Sequence, residues 1–350
     1  MDRLIALLTA EPAEILQALL SQPLFSLAIA AIVAIAWRTF SRHRGRGSGT
    51  RDSAPATLDE SLRARYRPER VAVRIGAIAV VVNLVVENLT ATLTPPDGDT
   101  VSWWRYATPI LTGAVALLVL LALIALRGSS APRRPVPLAG RRTWATFGTR
   151  ADLCGAGLAA LALTSTTIAA GLASSPDPQG RYVWLEVPIQ NASVDPLRPW
   201  FFGWAYGVPV LISLAALIVV SVATLHRSAA RPFIAPETLR IERTLRSAVA
   251  SGILRIATGA SLLSLAAAWR FIAESGTTTG LTIEGGGTYE VAWRYAEFAT
   301  AAGWAAPAIE VCAFLLLFFA AGIRRPLRRP SSPDRPDAGD AILTLVESGR

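Results

Sequence analysis

The stretch PILTGAVALLVLLALIAL, residues 109–126, contains 18 successive residues without a charge. As a helix it would rise about 27 Å, close to the roughly 30 Å of hydrocarbon in a bilayer. Six other apolar runs resemble it. The run nearest the N-terminus reaches spanning length if it begins near Leu19. The seven runs are 25–37, 71–93, 109–126, 153–173, 208–225, 252–273 and 299–323. The pattern predicts an all-α, polytopic integral membrane protein with seven transmembrane helices.

The composition agrees with this interpretation, because 52% of the residues are hydrophobic and the mean hydropathy is +0.41. Both values exceed those of an ordinary soluble domain of this length.

The arginines are distributed unevenly along the chain. The segments 38–74, 127–150, 227–255 and 324–350 hold 10, 6, 6 and 6 of the 34, and they alternate with arginine-poor connections. Basic residues accumulate in the cytoplasmic connections of membrane proteins. We therefore predict an outside N-terminus, an inside C-terminus and a multi-pass protein of the plasma membrane. The net charge of +9 then reflects topology, and we do not expect nucleic acid as a partner.

All of the basic residues are arginine, which suggests a GC-rich bacterial genome. The absence of lysine excludes a retinal Schiff base in spite of the seven helices. The two histidines, His43 and His226, lie at predicted helix ends, which argues against haem, copper or zinc within the membrane. The two cysteines lie in predicted helices at different depths, so we expect no disulfide. We expect no cofactor and no metal site.

A short repeat organises the chain. WRYA occurs at 104–107 and again at 293–296, and APATL at 54–58 is echoed by APETL at 235–239. The second echo continues without a gap and pairs Arg74 with Arg255. WAYGVPVL, at 204–211, is a fainter middle copy of WRYATPIL, at 104–111. We infer one anchor helix followed by three helical hairpins.

This organisation divides the chain into six predicted parts. They are an amphipathic segment with the anchor helix (1–40), a basic cytoplasmic linker with a short amphipathic helix (41–70), a first hairpin (71–127), a second hairpin with a long outer loop (128–227), a cytoplasmic helix with the third hairpin (228–325) and a disordered cytoplasmic tail (326–350). Within the outer loops, LTIEGGGTYEV at 281–291 predicts a small β-hairpin and RYVWLEV at 181–187 predicts a strand.

Polar residues recur at one depth of the predicted helices. Counted from the cytoplasmic arginines at about 1.5 Å per residue, they lie roughly 20–25 Å above the inner surface. Ionisable groups inside a membrane are costly and are candidates for function. The candidate residues are Glu87, Glu310, Arg270, Asn83 and Thr166.

Three interpretations of this polar layer remain open. In the first, the glutamates accept a cation or proton in a pocket that faces outward, with Arg270 as their counter-charge or as a contact for an anion. In the second, Arg270 forms an internal ion pair with one glutamate and ties two hairpins together. In the third, the groups lie close enough to the lipid headgroups to be hydrated.

Aromatic residues flank the same end of the predicted helices. Tryptophan and tyrosine at this level usually anchor a protein in the headgroup region. The predicted anchors are Trp104, Tyr106, Trp204, Trp293 and Tyr295.

These observations leave three functions open. The first is a transporter of a small solute or lipid, or a subunit of a transport complex, which the internal repeats favour. The second is a scaffold or signalling subunit that docks a protein partner through its cytoplasmic helices, 54–66 and 235–247, and its C-terminal tail. The third is a membrane-embedded enzyme for lipid-linked substrates with Glu87 or Glu310 as general base, although no paired acidic motif supports it. Membrane lipids are the partners common to all three.

Overall fold

The computed structural model describes residues 22–44, 56–93, 101–127, 143–189, 195–278, 280–282, 288–291 and 293–322. The predicted amphipathic segment before residue 22, residues 45–55 of the predicted linker and the predicted tail lie outside these described residues.

The described residues form seven α-helices and four short strands. Six of the helices, α2 to α7, are long and apolar enough to cross a membrane, and α1 carries a shorter apolar stretch, Leu24–Phe40. The predicted class, a multi-pass helical membrane protein, is therefore confirmed by helix length and composition. The helices are α1 (Pro23–Arg44), α2 (Ala56–Leu93), α3 (Thr108–Leu126), α4 (Arg150–Ala173), α5 (Trp204–Ala230), α6 (Leu239–Gly276) and α7 (Ala296–Ala320).

Helix α6 lies at the centre of the bundle. It packs against α2, α3, α4, α5 and α7, while α1 packs on α7. Its apolar stretch is 72% buried, against 22–39% for the other five candidate spans. Small residues permit this close packing: a Cβ on Gly252 would lie 2.6 Å from Val73 of α2, and one on Gly259 would lie 2.9 Å from Leu317 of α7. Small residues serve the same purpose at helix contacts in membranes generally.

Two helices extend through predicted boundaries. Helices α2 and α6 each run unbroken for 38 residues, so the short helices predicted before residues 71 and 252 are the first turns of membrane helices. Pro68 lies inside α2, where it removes one backbone hydrogen bond without ending the helix. The reason is packing, because Leu62 and Tyr66 of α2 are buried against Leu245 of α6.

The helix ends meet at two opposite ends of the bundle. At one, which we call the arginine end, the last turn of α3 and residues just after α5 contact the first half of α2 and the start of α6. At the other, which we call the strand end, residues around the starts of α3 and α5 pack against the last turns of α6.

Two small antiparallel sheets lie at the strand end. Strands β1 (Ser174–Pro176) and β2 (Tyr182–Leu185) pair, and isolated bridges extend this sheet toward residues 197–200. Phe201 and Phe202 follow and are buried. Strands β3 (Gly280–Thr282) and β4 (Thr288–Glu290) form the second sheet, which confirms the predicted hairpin around the glycine run, as β2 confirms the predicted strand.

Candidate functional site

An ion pair joins the last turns of α6 to α7. Arg270 Nε donates to Glu310 Oε1 at 2.6 Å, and Arg270 Nη2 donates to Glu310 Oε2 at 2.7 Å. The side chains are 18% and 4% exposed. Both helices are candidate membrane spans, so the pair lies in the apolar part of the fold.

The geometry is the strongest that these two side chains can form. A guanidinium matches a carboxylate with two parallel hydrogen bonds, which adds geometric specificity to the charge attraction. Moving two charges out of water is nevertheless costly, and apolar residues of the same volume often stabilise a fold as well or better. The pair therefore calls for an explanation beyond stability.

A tryptophan connects the neighbourhood of this pair to α4. Trp269, adjacent to Arg270 in the chain, donates from Nε1 to Thr166 Oγ1 at 3.1 Å. Trp269 also packs edge-on against Phe298 near the start of α7. Thr166 is therefore linked indirectly to Arg270, through its hydrogen bond with Trp269, the neighbour of Arg270 in α6.

The remaining predicted pocket residues lie on α2. Glu87 interacts with the Thr108 hydroxyl at the start of α3 and lies near Arg105. Asn83 Nδ2 is buried and has no hydrogen-bond partner among the described residues. Of the five predicted residues, the structure brings Arg270 and Glu310 into direct contact, adds Thr166 through Trp269, and places Glu87 against α3.

The predicted aromatic anchors occupy different environments. Trp104 is 49% exposed and Tyr295 is 46% exposed, whereas Tyr106 is 8% exposed. Tyr106 packs against Phe202, Tyr206 and Phe271, and burial raises the pKa of its hydroxyl.

Trp204 and Trp293 are half-buried, each against a glycine. A Cβ on Gly171 would lie 2.5 Å from the Trp204 ring, and one on Gly276 would lie 2.8 Å from the Trp293 ring. The two WRYA copies thus place their tyrosines differently, one in the core and one at the surface.

A second buried charge cluster lies at the arginine end. Arg246 and Glu242 of α6 are each 1% exposed, and their side chains meet at 3.1 Å. Arg246 Nε also donates to the Tyr66 hydroxyl of α2 at 3.0 Å. Its two terminal nitrogens donate to the carbonyls of Arg231 and Pro232 at 2.7 and 2.9 Å.

The carboxylate of Glu242 also accepts several hydrogen bonds. It accepts from the backbone N–H of Ile234 at 3.0 Å and from the Thr238 hydroxyl at 2.9 Å. The guanidinium of Arg246 lies 4.5 Å from the centre of the Phe233 ring. This cluster fixes residues 231–238 between α2 and α6.

Two further ion pairs extend the arginine end. Arg231 pairs with Glu69 of α2 and donates to the carbonyl of Ile124, at the end of α3. Arg255 of α6 pairs with Asp152 of α4 at 3.4 Å. Together with the cluster they connect α2, α3, α4, α6 and the end of α5.

Sequence reasoning missed these pairs. Tyr66 and Arg246 are 180 positions apart, so no local spacing reports their contact. One signal was present: Glu242 and Arg246 stand four apart, as helical ion pairs do. Both belong to a helix that is buried on nearly every side.

No group of three or more metal-ligating side chains occurs within the described ranges. No protein-family model matches the chain, and no curated protein or solved structure matches it significantly.

Proposed function

We propose that this chain is a transport protein, or the membrane subunit of a transport complex, in which Arg270 and Glu310 form an ionic switch on the path of a small charged solute. One observation carries the proposal: a bidentate ion pair joins two candidate membrane spans, and the Glu310 side chain is 4% exposed.

The chemistry of the pair suits such a switch. While the pair is closed, each charge neutralises the other and no water is needed. When α6 and α7 separate at this level, an arginine and a carboxylate become available to a solute that carries a negative group, a positive group or both. A solute that carries both groups keeps both charges paired in the open state, whereas a solute with one charge leaves the other side chain to water. Ionisable groups in membrane spans commonly mark such pathways.

The pair also disfavours the enzyme alternative. Both carboxylate oxygens of Glu310 accept hydrogen bonds from Arg270, so a proton on Glu310 would cost the charge attraction between the two side chains while the pair is closed, which makes Glu310 the less suitable of the two candidate bases.

The scaffold alternative has less support than the sequence suggested. Its proposed docking helices would present residues 54–66 and 235–247 to a partner. Leu62, Tyr66 and Leu245 within these segments are buried against each other, and Glu242 and Arg246 are buried as well. These five residues are therefore not available to a partner, which would have to bind the exposed polar sides of the two segments.

The proposed orientation rests on the distribution of charge. The positive-inside rule would place the arginine end in the cytoplasm and the strand end outside. In a bacterial plasma membrane the switch would then lie nearer the outer surface.

A ligand screen tests the proposal. The melting temperature of the purified protein would be measured with each member of a panel of inorganic anions, carboxylates, amines and zwitterionic amino acids. A ligand that binds the folded state raises this temperature. We expect at least one charged solute to stabilise the wild type and to lose that effect in R270Q/E310Q.

A matched variant controls for the removal of charge. E186Q/R198Q removes an exposed ion pair of the outer loop, 3.2 Å long in the wild type, and should keep the ligand effect. A hit that stabilises R270Q/E310Q as well as the wild type would remove this pair from the pathway, and a panel without any hit would count against transport of small charged solutes.

A further inference from the structure

Four arginines of α2 form a line at the arginine end. Arg63, Arg67, Arg70 and Arg74 are spaced by four, three and four residues, which places them on one face of the helix. This face borders the buried one. Arg67 and Arg74 are exposed, and Arg63 and Arg70 are half-buried. We call these four residues the arginine stripe.

Among the described residues, no carboxylate pairs with Arg67, Arg70 or Arg74 of the stripe. Glu69 is directed to the other side of α2, where it pairs with Arg231. Glu60 lies on the same face, but it stands about two turns or more before these three arginines. Arg70 uses one nitrogen for the carbonyl of Arg63 at 3.1 Å. Its Nε is buried and has no acceptor among the described residues.

A second helix completes the site. Gly322, in the turn that ends α7, has a φ of 84°, and a Cβ there would lie 2.7 Å from Arg74 Nε. The stripe therefore lies along the junction of α2 with the end of α7. The partial negative charge at the C-terminus of α7 offsets part of the charge of Arg74. It does not reach Arg67 and Arg63, which lie about two and three turns closer to the start of α2.

The apolar surface next to the stripe indicates where it lies in a membrane. The charge-free run of α2 begins after Arg74, and Ile75, Ile78 and Val82 are 61%, 51% and 52% exposed. Exposed apolar residues of this kind contact acyl chains, so the arginines one to three turns away lie at headgroup level. Phosphate is the anion found there, and guanidinium groups bind it with two hydrogen bonds.

From these observations we infer that the arginine stripe binds the phosphate group of an anionic phospholipid, whose acyl chains lie against Ile75 and Ile78. Basic sites between membrane helices bind lipid headgroups in this way. The inference does not depend on the proposed transport function.

Native mass spectrometry of the detergent-released full chain tests this, with phosphatidylglycerol as the probe and phosphatidylcholine as the neutral comparison. We expect R67Q/R70Q/R74Q to weaken phosphatidylglycerol binding roughly tenfold to hundredfold and to leave phosphatidylcholine unchanged. The matched control is R227Q/R240Q/R243Q, which removes the same charge from exposed positions near the same end. It should weaken binding less than about twofold.

Two results would overturn the inference. Equal losses in the two triple variants would mean that the whole surface attracts anions without a site. Full competition by soluble glycerol phosphate would assign the stripe to a soluble phosphate instead of a lipid. The single variant R67Q changes an exposed residue, so it serves in place of the triple variant if the latter does not fold, with an expected loss of about fivefold.

Discussion

At the residue scale, two arginines of α6 are paired in different ways. Arg270 has a carboxylate as its principal described partner, whereas Arg246 divides its donors among a carboxylate, a tyrosine and two backbone carbonyls. A solute with a carboxylate or phosphate group can take over the two parallel hydrogen bonds of this carboxylate in one step. The partners of a guanidinium held by four groups cannot be replaced in this way. This contrast makes the pair at the strand end the candidate for movement and the cluster at the arginine end the fixed part.

The ion pair should show strong coupling between its members. Removing one charge leaves the other buried and uncompensated, so we expect R270Q and E310Q each to lower the free energy of unfolding by about 3–5 kcal/mol. The double variant should lose less than the sum of the two, with a coupling of about 0.5–3 kcal/mol. Unfolding in mixed micelles by titration with a denaturing detergent measures all three. E186Q and R198Q, in a pair that is 44% and 48% exposed, should cost at most about 1 kcal/mol. Additive losses would mean that the two side chains do not depend on each other.

Arg246 should not tolerate lysine. An ammonium group cannot reproduce the planar fork that reaches Tyr66, Glu242 and two carbonyls, so R246K should lower the free energy of unfolding by at least about 2 kcal/mol. R243K, at an exposed position of the same helix, should change it by less than about 0.5 kcal/mol. The same titration compares the two. A neutral effect of R246K would show that the fork geometry is dispensable.

At the element scale, the helices approach each other where glycine removes a side chain. Gly171 of α4 faces the indole of Trp204 at the start of α5. Gly157, on the same helix, faces open space, and a Cβ there would meet nothing within 4 Å beyond the backbone of its own helix. One helix thus contains a glycine that packing requires and one that it does not.

Alanine should therefore have opposite effects at these two positions. G171A forces a methyl group against a rigid ring, and we expect a loss of about 1–3 kcal/mol in the free energy of unfolding. G157A should leave stability unchanged or raise it by up to about 1 kcal/mol, because alanine is the better helix former. Thermal melting in detergent distinguishes the outcomes, and a loss of similar size for both would refute the packing argument.

The turn between β1 and β2 should depend on pH. Asp177 accepts from the backbone N–H groups of Gln179 and Arg181 at 3.0 and 2.7 Å and pairs with Arg181 Nε at 2.6 Å. Desolvation raises the pKa of this carboxyl, but the hydrogen bonds from Arg181 and Gln179 outweigh it and hold the pKa below its ordinary value.

The sign of the effect follows from this depressed pKa. The contribution of Asp177 is present above its unfolded pKa of about 3.9 and is lost as the pH falls through the lower folded pKa. Protection factors for amide hydrogen exchange at residues 177–185, from which the intrinsic pH dependence of exchange has been removed, should be constant from about pH 5 to 7 and lower in D177N over that whole range. The difference between wild type and D177N should vanish at lower pH. A difference that persists there would mean that the carboxylate charge is not responsible.

The elements were more predictable than the site. The helices could be predicted because long uncharged runs have one stable form in a membrane, and β3–β4 because glycines interrupt an alternating pattern. Pairing Arg270 with a glutamate was foreseen as one possibility, but the choice of Glu310 over Glu87 depends on how α6 and α7 pack. Burial of Tyr106 beside an exposed Tyr295 was not foreseeable from the identical WRYA letters, because packing against Phe202 and Phe271 decides it.

At the scale of the whole molecule, charge is concentrated at one end and aromatic packing at the other. The arginine end holds the cluster around Arg246 and the arginine stripe, while the strand end holds the Tyr106 aromatic group and the two small sheets. Helix α6 runs from the arginine end to the strand end and packs against five other helices. Movement of α7 against α6 at Glu310 would thus open the strand end while the arginine end stays closed.

Water access at position 310 tests this account most directly. In a chain with Cys154→Ala and Cys312→Ala, E310C would be treated in intact cells with a membrane-impermeant thiol reagent. E186C, in the loop at the strand end, is the positive control. L317C, two turns further along α7 and 0% exposed, is the buried control, and R243C reports the arginine end.

We predict that E310C and E186C are labelled, and that L317C and R243C are not. This result would establish a water path from the outside to the switch. Labelling of E186C without E310C would mean that the ion pair is sealed structural packing, and the transport proposal would fail. Labelling of R243C in place of E186C would reverse the proposed orientation.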